Sequence, residues 1–473
     1  MNLLRLILEP VNTYQELSKY SPVKIRKIIA AAIIYGCCVS FNVVADEIIL
    51  IQSYIRKHFP ASFKISNDQL KQLHWVLKQD NYTNDQDLYV PQQGIHIEIR
   101  RALTRLYCAQ LLRSGTMDSY NKFVTAQLDA DVAAPLSFTT FNKLAKFIAN
   151  FSESDYELLE TATILAAVSL SQPAAELAQQ VMDITPVLND KLDFMAATLR
   201  NSLDLYPLTT TVTQNNSAAK KLLYVLFPPQ TNFHHMIYTE GGIGMFQYLR
   251  TMIAHGYIDQ NKLDLLYANW IINISGFRGH ISQQGSLYLS ENVAQAVLKL
   301  QSLVYEMLEM PTYNPLLPYL EYRAEGLGLR DLPYNEKLFI THLACLLRLY
   351  TVAEGQRLYH SVIALPANKR TAAMNFFINS LRQATQLPIT YAPALFGNAL
   401  AVTNGDIEQV ITKILPVYNA MLLQHLRSNS KVALSFNRLS AKHNIKHLLR
   451  VNAVESQRLH IDANGNVILT LND

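Results

Sequence analysis

Residues 233–280 gather the side chains that acid–base and anion chemistry need. They include His234, His235, Tyr238, Glu240, His255, Arg278 and His280, set around Gly241-Gly242-Ile243-Gly244 and Gly276-Phe277-Arg278-Gly279-His280. Imidazole titrates near neutral pH, so His235 and His280 are candidate catalytic acids or bases, and Glu240 could orient an imidazole or a water. Gly241 and Gly242 open a helix expected over 239–256, where unpaired amides and the helix dipole favour an anion. A second helix is expected over 262–274. Were the two antiparallel, Arg278 would return to the glycine end, where its planar fork could clamp a phosphate or carboxylate with Gly241 and Gly242. No metal site is expected, because His234 and His235 cannot both face one ion from a regular helix. The plainer reading is loop histidines, glycines that only permit a tight turn, and an Arg278 paired with a core carboxylate.

Other catalytic patterns fail on their own residues. The chain carries no GxSxG elbow, HExxH, dinucleotide fingerprint or kinase signature, and no Walker lysine follows the GGxG turn. Gln284-Gly285-Ser286 lacks the flanking glycine of a nucleophile elbow. His342 and Cys345 lie one helical turn apart, but a cysteine among leucines reads as a buried thiol. Asp462, Asn464, Asn466 and Asp473 match a calcium loop only by count, since Val467 stands where the sharp-turn glycine belongs. No motif names a cofactor, which stays unknown.

No acidic residue occurs between Glu408 and Glu455, while Lys413, Arg427, Lys431, Arg438, Lys442, Lys446 and Arg450 accumulate with His443 and His447. Such a run is either a solvated helix face or a surface for anionic lipid or nucleic acid. With only Phe436 available for stacking, DNA is not expected as a partner.

These residues must be positioned by helices. Of 473 residues 49% are apolar and only 16% charged, which favours large cores of helix packed on helix and opposes disorder. The net charge of +4 implies no global electrostatic partner. Ser66 with Gln69, and Ser154 with Glu157, have capping-box spacing. Thr185-Pro186 and Ser290-Glu291 read as further helix starts. Gly256 and Gly355 read as C-terminal caps. Residues 158–170 should form a helix buried all round. Residues 335–353 and 406–427 should form long helices, the second bent at Pro416. The clearest β element is expected at the end, where Arg458 to Ile461 and Val467 to Leu471 flank Asp-Ala-Asn-Gly-Asn. The fold class is therefore all-α in the main, multi-helix bundle domains with a small C-terminal β-hairpin.

The domain reading is an N-terminal helical domain over 1–206, a linker over 207–216, a C-terminal helical domain over 217–450 and the hairpin over 451–473. A second break is expected at 387–404. The uncharged run 28–45 is near the minimum for a membrane span, but its helical pattern continues through Asp46 and Glu47 to Tyr54. It reads as a buried helix, with membrane contact the lesser alternative. Cys37, Cys38, Cys108 and Cys345 are too scattered for a disulfide framework, which suits a reducing, intracellular-type setting.

In its Asn/Gln/Leu/Lys-rich composition, helical segments such as Ser137 to Asn150, few cysteines and lack of an ordinary export signal, the chain resembles the secreted effectors of intracellular bacteria of the Legionella type. That resemblance implies delivery into a host cell and action on a host component. Its tail, Gln457 to Asp473, departs from the Glu-rich tail frequent in such proteins. Residues 265–280 also resemble the helix-then-loop segment of HD-type phosphohydrolases, but Asn273 and Ser275 stand near where that family has its metal-binding His-Asp pair. Two functions follow: a non-catalytic helical interaction protein binding a partner protein, or a phosphoester- or nucleotide-directed enzyme built on 233–280.

Overall fold

The computed structural model describes residues 48–78, 95–168, 236–240, 242–310, 312–382, 389–428, 432–450 and 458–470, with 206, 208, 209, 221, 222 and 225 between them. The run 28–45, the start at Thr185-Pro186 and most of 207–216 lie outside the described residues.

Helices dominate, and their ends follow side-chain chemistry. Helix α1 (Asn67–Leu73) opens with the expected capping box: Ser66 Oγ accepts the Gln69 amide at 3.1 Å, and Gln69 Oε1 accepts the Ser66 amide at 2.8 Å. Helix α2 (Ile97–Ser114) closes on Gly115 at φ 63°; α3 (Met117–Asp129) and α4 (Phe138–Ala149) are capped by Thr116 and Ser137. Helix α5 (Glu153–Val168) begins two residues earlier than the expected box, because Ser152 rather than Ser154 accepts the amide three residues on, at Asp155. The two serines share the same spacing to an acid, so sequence alone does not separate them.

Helix α6 (Gly242–Ala254) ends toward Gly256, which takes the left-handed conformation (φ 71°) as its sequence position implied. Helix α7 (Gln260–Ser275) is capped by Asp259. Helix α8 (Glu291–Glu309) starts where expected, but Ser290 makes no side-chain cap. Glu291 instead accepts from the Ser137 amide at 2.8 Å and Thr140 Oγ1 at 2.7 Å, placing its charge at the N-terminus of α4.

Helices α9 (Leu316–Gly326), α10 (Tyr334–Leu346), α11 (Val352–Ile363) and α12 (Ala367–Arg382) follow. The single helix expected over 335–353 is thus two. The chain turns at Arg348 (φ 60°), and a Thr351–Glu354 capping box restarts it. Gly355 is not a C-cap but lies inside α11, where an added Cβ would sit 2.9 Å from Leu327 Cβ and closer still to its carbonyl oxygen. Its lack of a side chain lets α11 cross the end of α9.

Strand β1 (Ile389–Thr390) pairs in parallel with β2 (Leu434–Ser435), flanking α13 (Ala392–Val402) and α14 (Ile407–Arg427). Pro416 lies inside α14. After α15 (Lys442–Arg450) comes the expected antiparallel hairpin, β3 (Leu459–Ile461) with β4 (Val467–Leu469). The Asp462 carboxylate accepts the amides of Asn464 and Asn466 at 2.9 and 2.8 Å, an Asx turn that fixes the hairpin register.

Helix α2 packs among α3, α4, α5 and α7, and α10 packs among α9, α11, α12 and α13. Helix α8 bridges the groups, touching α4 and α7 on one side and α6 and α9 on the other. One hydrophobic core runs through residues on both sides of 207–216. Gln127 ties the two sides by polar bonds as well. Fully buried, it donates to the carbonyls of Ser286 (2.8 Å) and Leu289 (3.0 Å) and accepts the Leu136 amide (2.8 Å). Among the described residues no helix is long and apolar enough to cross a membrane.

Candidate functional site

Residues 236–240 form a buried turn between helices, every one almost closed to solvent. Tyr319 donates its hydroxyl to the Ile237 carbonyl at 2.8 Å. Arg323, only 4% exposed, donates to the Leu349 carbonyl (2.5 Å), to Tyr319 Oη (3.3 Å) and, at the limit, to the Ile237 carbonyl (3.5 Å). Thr239, held at φ 56°, shares a 2.8 Å hydrogen bond with His342 Nδ1. Glu240 accepts the amide of Ala392, the first residue of α13, so its carboxylate faces a helix N-terminus.

Around this turn arginines meet tyrosines. The Arg348 guanidinium lies 5.1 Å from the centroid of the Tyr238 ring, Arg323 lies 4.2 Å from that of Tyr350, and Arg278 lies 5.8 Å from that of Tyr288. The hydroxyls of Tyr238 and Tyr288 are hydrogen-bonded to each other. Burial raises the Tyr238 pKa, opposed by Arg348, Arg323 and Arg278, so the phenol is neutral at pH 7. Arg278 is exposed to solvent, yet the protein packed around its side chain first and Arg348 second lower its pKa, while Tyr238 opposes them. Among the described residues no carboxylate forms an ion pair with Arg278, Arg323 or Arg348. Arg348 Nε is buried without a hydrogen-bond partner, and Gly397 on α13 leaves it room: an added Cβ there would sit 3.4 Å away.

The nominated residues therefore divide. Arg278 comes beside Tyr238, two residues before Glu240. Gly242 opens α6; His235 and Gly241 lie outside the described residues. His280 turns to α2, where Arg101 Nε donates to its Nδ1 at 3.1 Å. Arg101 also pairs with Glu98 at 2.6 Å, and Arg101 and Arg105 together hold the Glu98 carboxyl below its ordinary pKa against the effect of burial. Burial, with Arg101 and Arg100, pushes His280 down to about 4, and burial pushes His342 down to about 3. Both rings are neutral at pH 7. Gly276 and Gly279 serve packing rather than ligand approach. Added Cβ atoms would lie 2.7 Å from Arg105 Cα and 2.5 Å from Thr104 Cβ, so the end of α7 rests directly on α2.

The His280 position has a consequence for pH dependence. Its folded pKa lies below the unfolded value, so the unfolded chain takes up the proton first, and stability falls as pH drops from about 6.5 toward 4. His280→Gln is expected to flatten the decline in unfolding free energy between pH 7 and pH 5. A ring resonance for His280 that titrates near 6.5 would contradict the buried, arginine-facing placement.

Sequence reasoning missed Arg348, which has no local motif. It also missed a cleft of about 1150 Å³, lined by Phe151, Asp155, Lys221, Tyr257, Asp264 and Tyr305 among others. Its cations are occupied: Lys221 pairs with Asp155 at 2.8 Å, and Lys262 lies 3.4 Å from Asp259. Tyr305 donates to Asp264, whose pKa burial raises. None of the nominated residues lines it. Among the described residues no group of histidines, cysteines and carboxylates could hold a metal. Comparison with protein-family models, with curated proteins and with solved structures found no match.

Proposed function

We propose that the protein is a non-catalytic helical interaction protein, and that Arg278 and Arg348 receive an anionic group, phosphate or carboxylate, carried by its partner. The observation that carries this reading is a pair of neighbouring guanidiniums with no carboxylate paired to either among the described residues. Like charges repel, and a buried donor without an acceptor, as at Arg348 Nε, costs about 1–3 kcal/mol. An anion between the two would offset both terms through charge-assisted bonds. A partner protein bearing such a group, and a host protein in particular if the chain is delivered into a host cell, fits the same chemistry.

The binding reading ranks above a phosphoester- or nucleotide-directed enzyme because the nearby acid–base groups have structural work. His280 accepts from Arg101, His342 bonds Thr239, and Glu240 accepts the Ala392 amide. Titration calorimetry with inorganic pyrophosphate tests it. Wild type should bind, and Arg278→Lys, which keeps charge but loses the fork, should bind more weakly by about 1–3 kcal/mol. Its stability should change by less than about 0.5 kcal/mol. Equal affinity in the two proteins would overturn the assignment, and robust turnover of a phosphoester by the purified protein would favour the enzyme.

A further inference from the structure

Helix α15 is anchored by Ile445 and Leu448, which are buried where it packs on α13 and α14. Lys442, Lys446 and Arg450 recur at i, i+4 and i+8 and form one exposed stripe, with His443 exposed beside it. Like charges four residues apart on a helix disfavour it, and no described acid forms an ion pair with any of the three.

The patch extends beyond the helix. Asn444 Nδ2 donates to the Arg438 carbonyl at 2.8 Å, which fixes exposed Arg438 against the first turn of α15. The hairpin turn beside it brings Gly465 against Val432, which is 41% exposed. Asp462, in that turn, is a carboxylate near Arg438; its Oδ1 accepts the Asn464 and Asn466 backbone amides and its Oδ2 accepts from Asn466 Nδ2. Three cations thus line one stripe of α15, and a fourth, exposed Arg438, is held by its backbone at the helix's first turn.

We infer that this face docks on an anionic lipid surface. Charge complementarity selects an anionic occupant, and the chemistry of the patch selects lipid over nucleic acid. Lysines that act as point charges suit a sheet of headgroups, and of the rings in this stretch Phe436 is fully buried, leaving the His443 imidazole as the exposed one beside the stripe, too little for a track of stacked bases.

The test is co-sedimentation of the full chain with phosphatidylcholine vesicles, with and without about 30% phosphatidylserine, a content in the range that gives cytoplasmic leaflets their negative surface potential. Wild type should bind only the phosphatidylserine vesicles and be released by high salt. Replacing both lysines (Lys442→Gln with Lys446→Gln) should weaken binding about 30-fold, and Lys442→Glu with Lys446→Glu more, both with unchanged melting curves. Should the charge-reversed protein fail to fold, the glutamine variant carries the comparison. Equal binding to both vesicle types, no effect of the glutamine variant, or tighter binding to a single-stranded oligonucleotide than to phosphatidylserine would overturn the inference.

Discussion

Arg323→Met is expected to lower the free energy of unfolding by about 2–4 kcal/mol, read by urea denaturation. The guanidinium is buried and lies over the Tyr350 ring, and it joins the 236–240 turn to Tyr319 on α9 and to the Leu349 carbonyl beyond α10. Methionine fills much of the space and removes the penalty of burying a charge, which recovers part of the loss. It cannot donate, so the Leu349 carbonyl loses a 2.5 Å bond and the Tyr319 hydroxyl oxygen loses its guanidinium donor. Lysine would be intermediate, having one terminal nitrogen where two are used. A change below about 0.5 kcal/mol would mean that other donors reach these oxygens.

Gly285→Ala is expected to be about as damaging, near 3 kcal/mol, from two sources that act together. The residue sits at φ 106°, a region that side chains disfavour, and an added Cβ would lie 2.5 Å from the Phe123 carbonyl oxygen and nearer still to that of Lys122. The neighbouring bonds, Ala126 amide to Gln284 carbonyl (3.2 Å) and Ser286 amide to Phe123 carbonyl (2.8 Å), leave the loop no room to withdraw. A melting temperature within 1–2 °C of wild type, for a loss below about 0.5 kcal/mol, would show that the loop adapts.

Gly285 also illustrates what sequence could and could not reveal. Its glycine was visible in a failed nucleophile motif, but the helix it touches, α3, is some 160 residues away in sequence, so the reason for the glycine was not local. The same holds for Gly276, Gly279 and Gly355: a glycine can signal backbone freedom or close approach, and only the opposing element decides which. Features written into adjacent residues were legible. The Ser66–Gln69 box, Gly256 and the Asp462 turn each needed no distant partner.

The break at Arg348 was hidden, because Leu346 to Tyr350 keeps an apolar pattern with no glycine or proline. The Thr351–Glu354 capping box is the local signal of the restart. At the candidate site, Arg278 was nominated from its loop, whereas its neighbours Tyr238 and Arg348 lie 40 and 70 residues away in sequence and arrive there by packing.

The most direct measurement of the binding reading is the melting temperature of Arg278→Gln with and without pyrophosphate. An arginine held for an anion, not for the fold, adds repulsion to the empty protein. Its removal should leave the ligand-free melting temperature unchanged or higher while abolishing the upward shift that pyrophosphate gives wild type. A variant that melts lower when empty yet keeps the full pyrophosphate shift would contradict the assignment and place Arg278 among the structural residues.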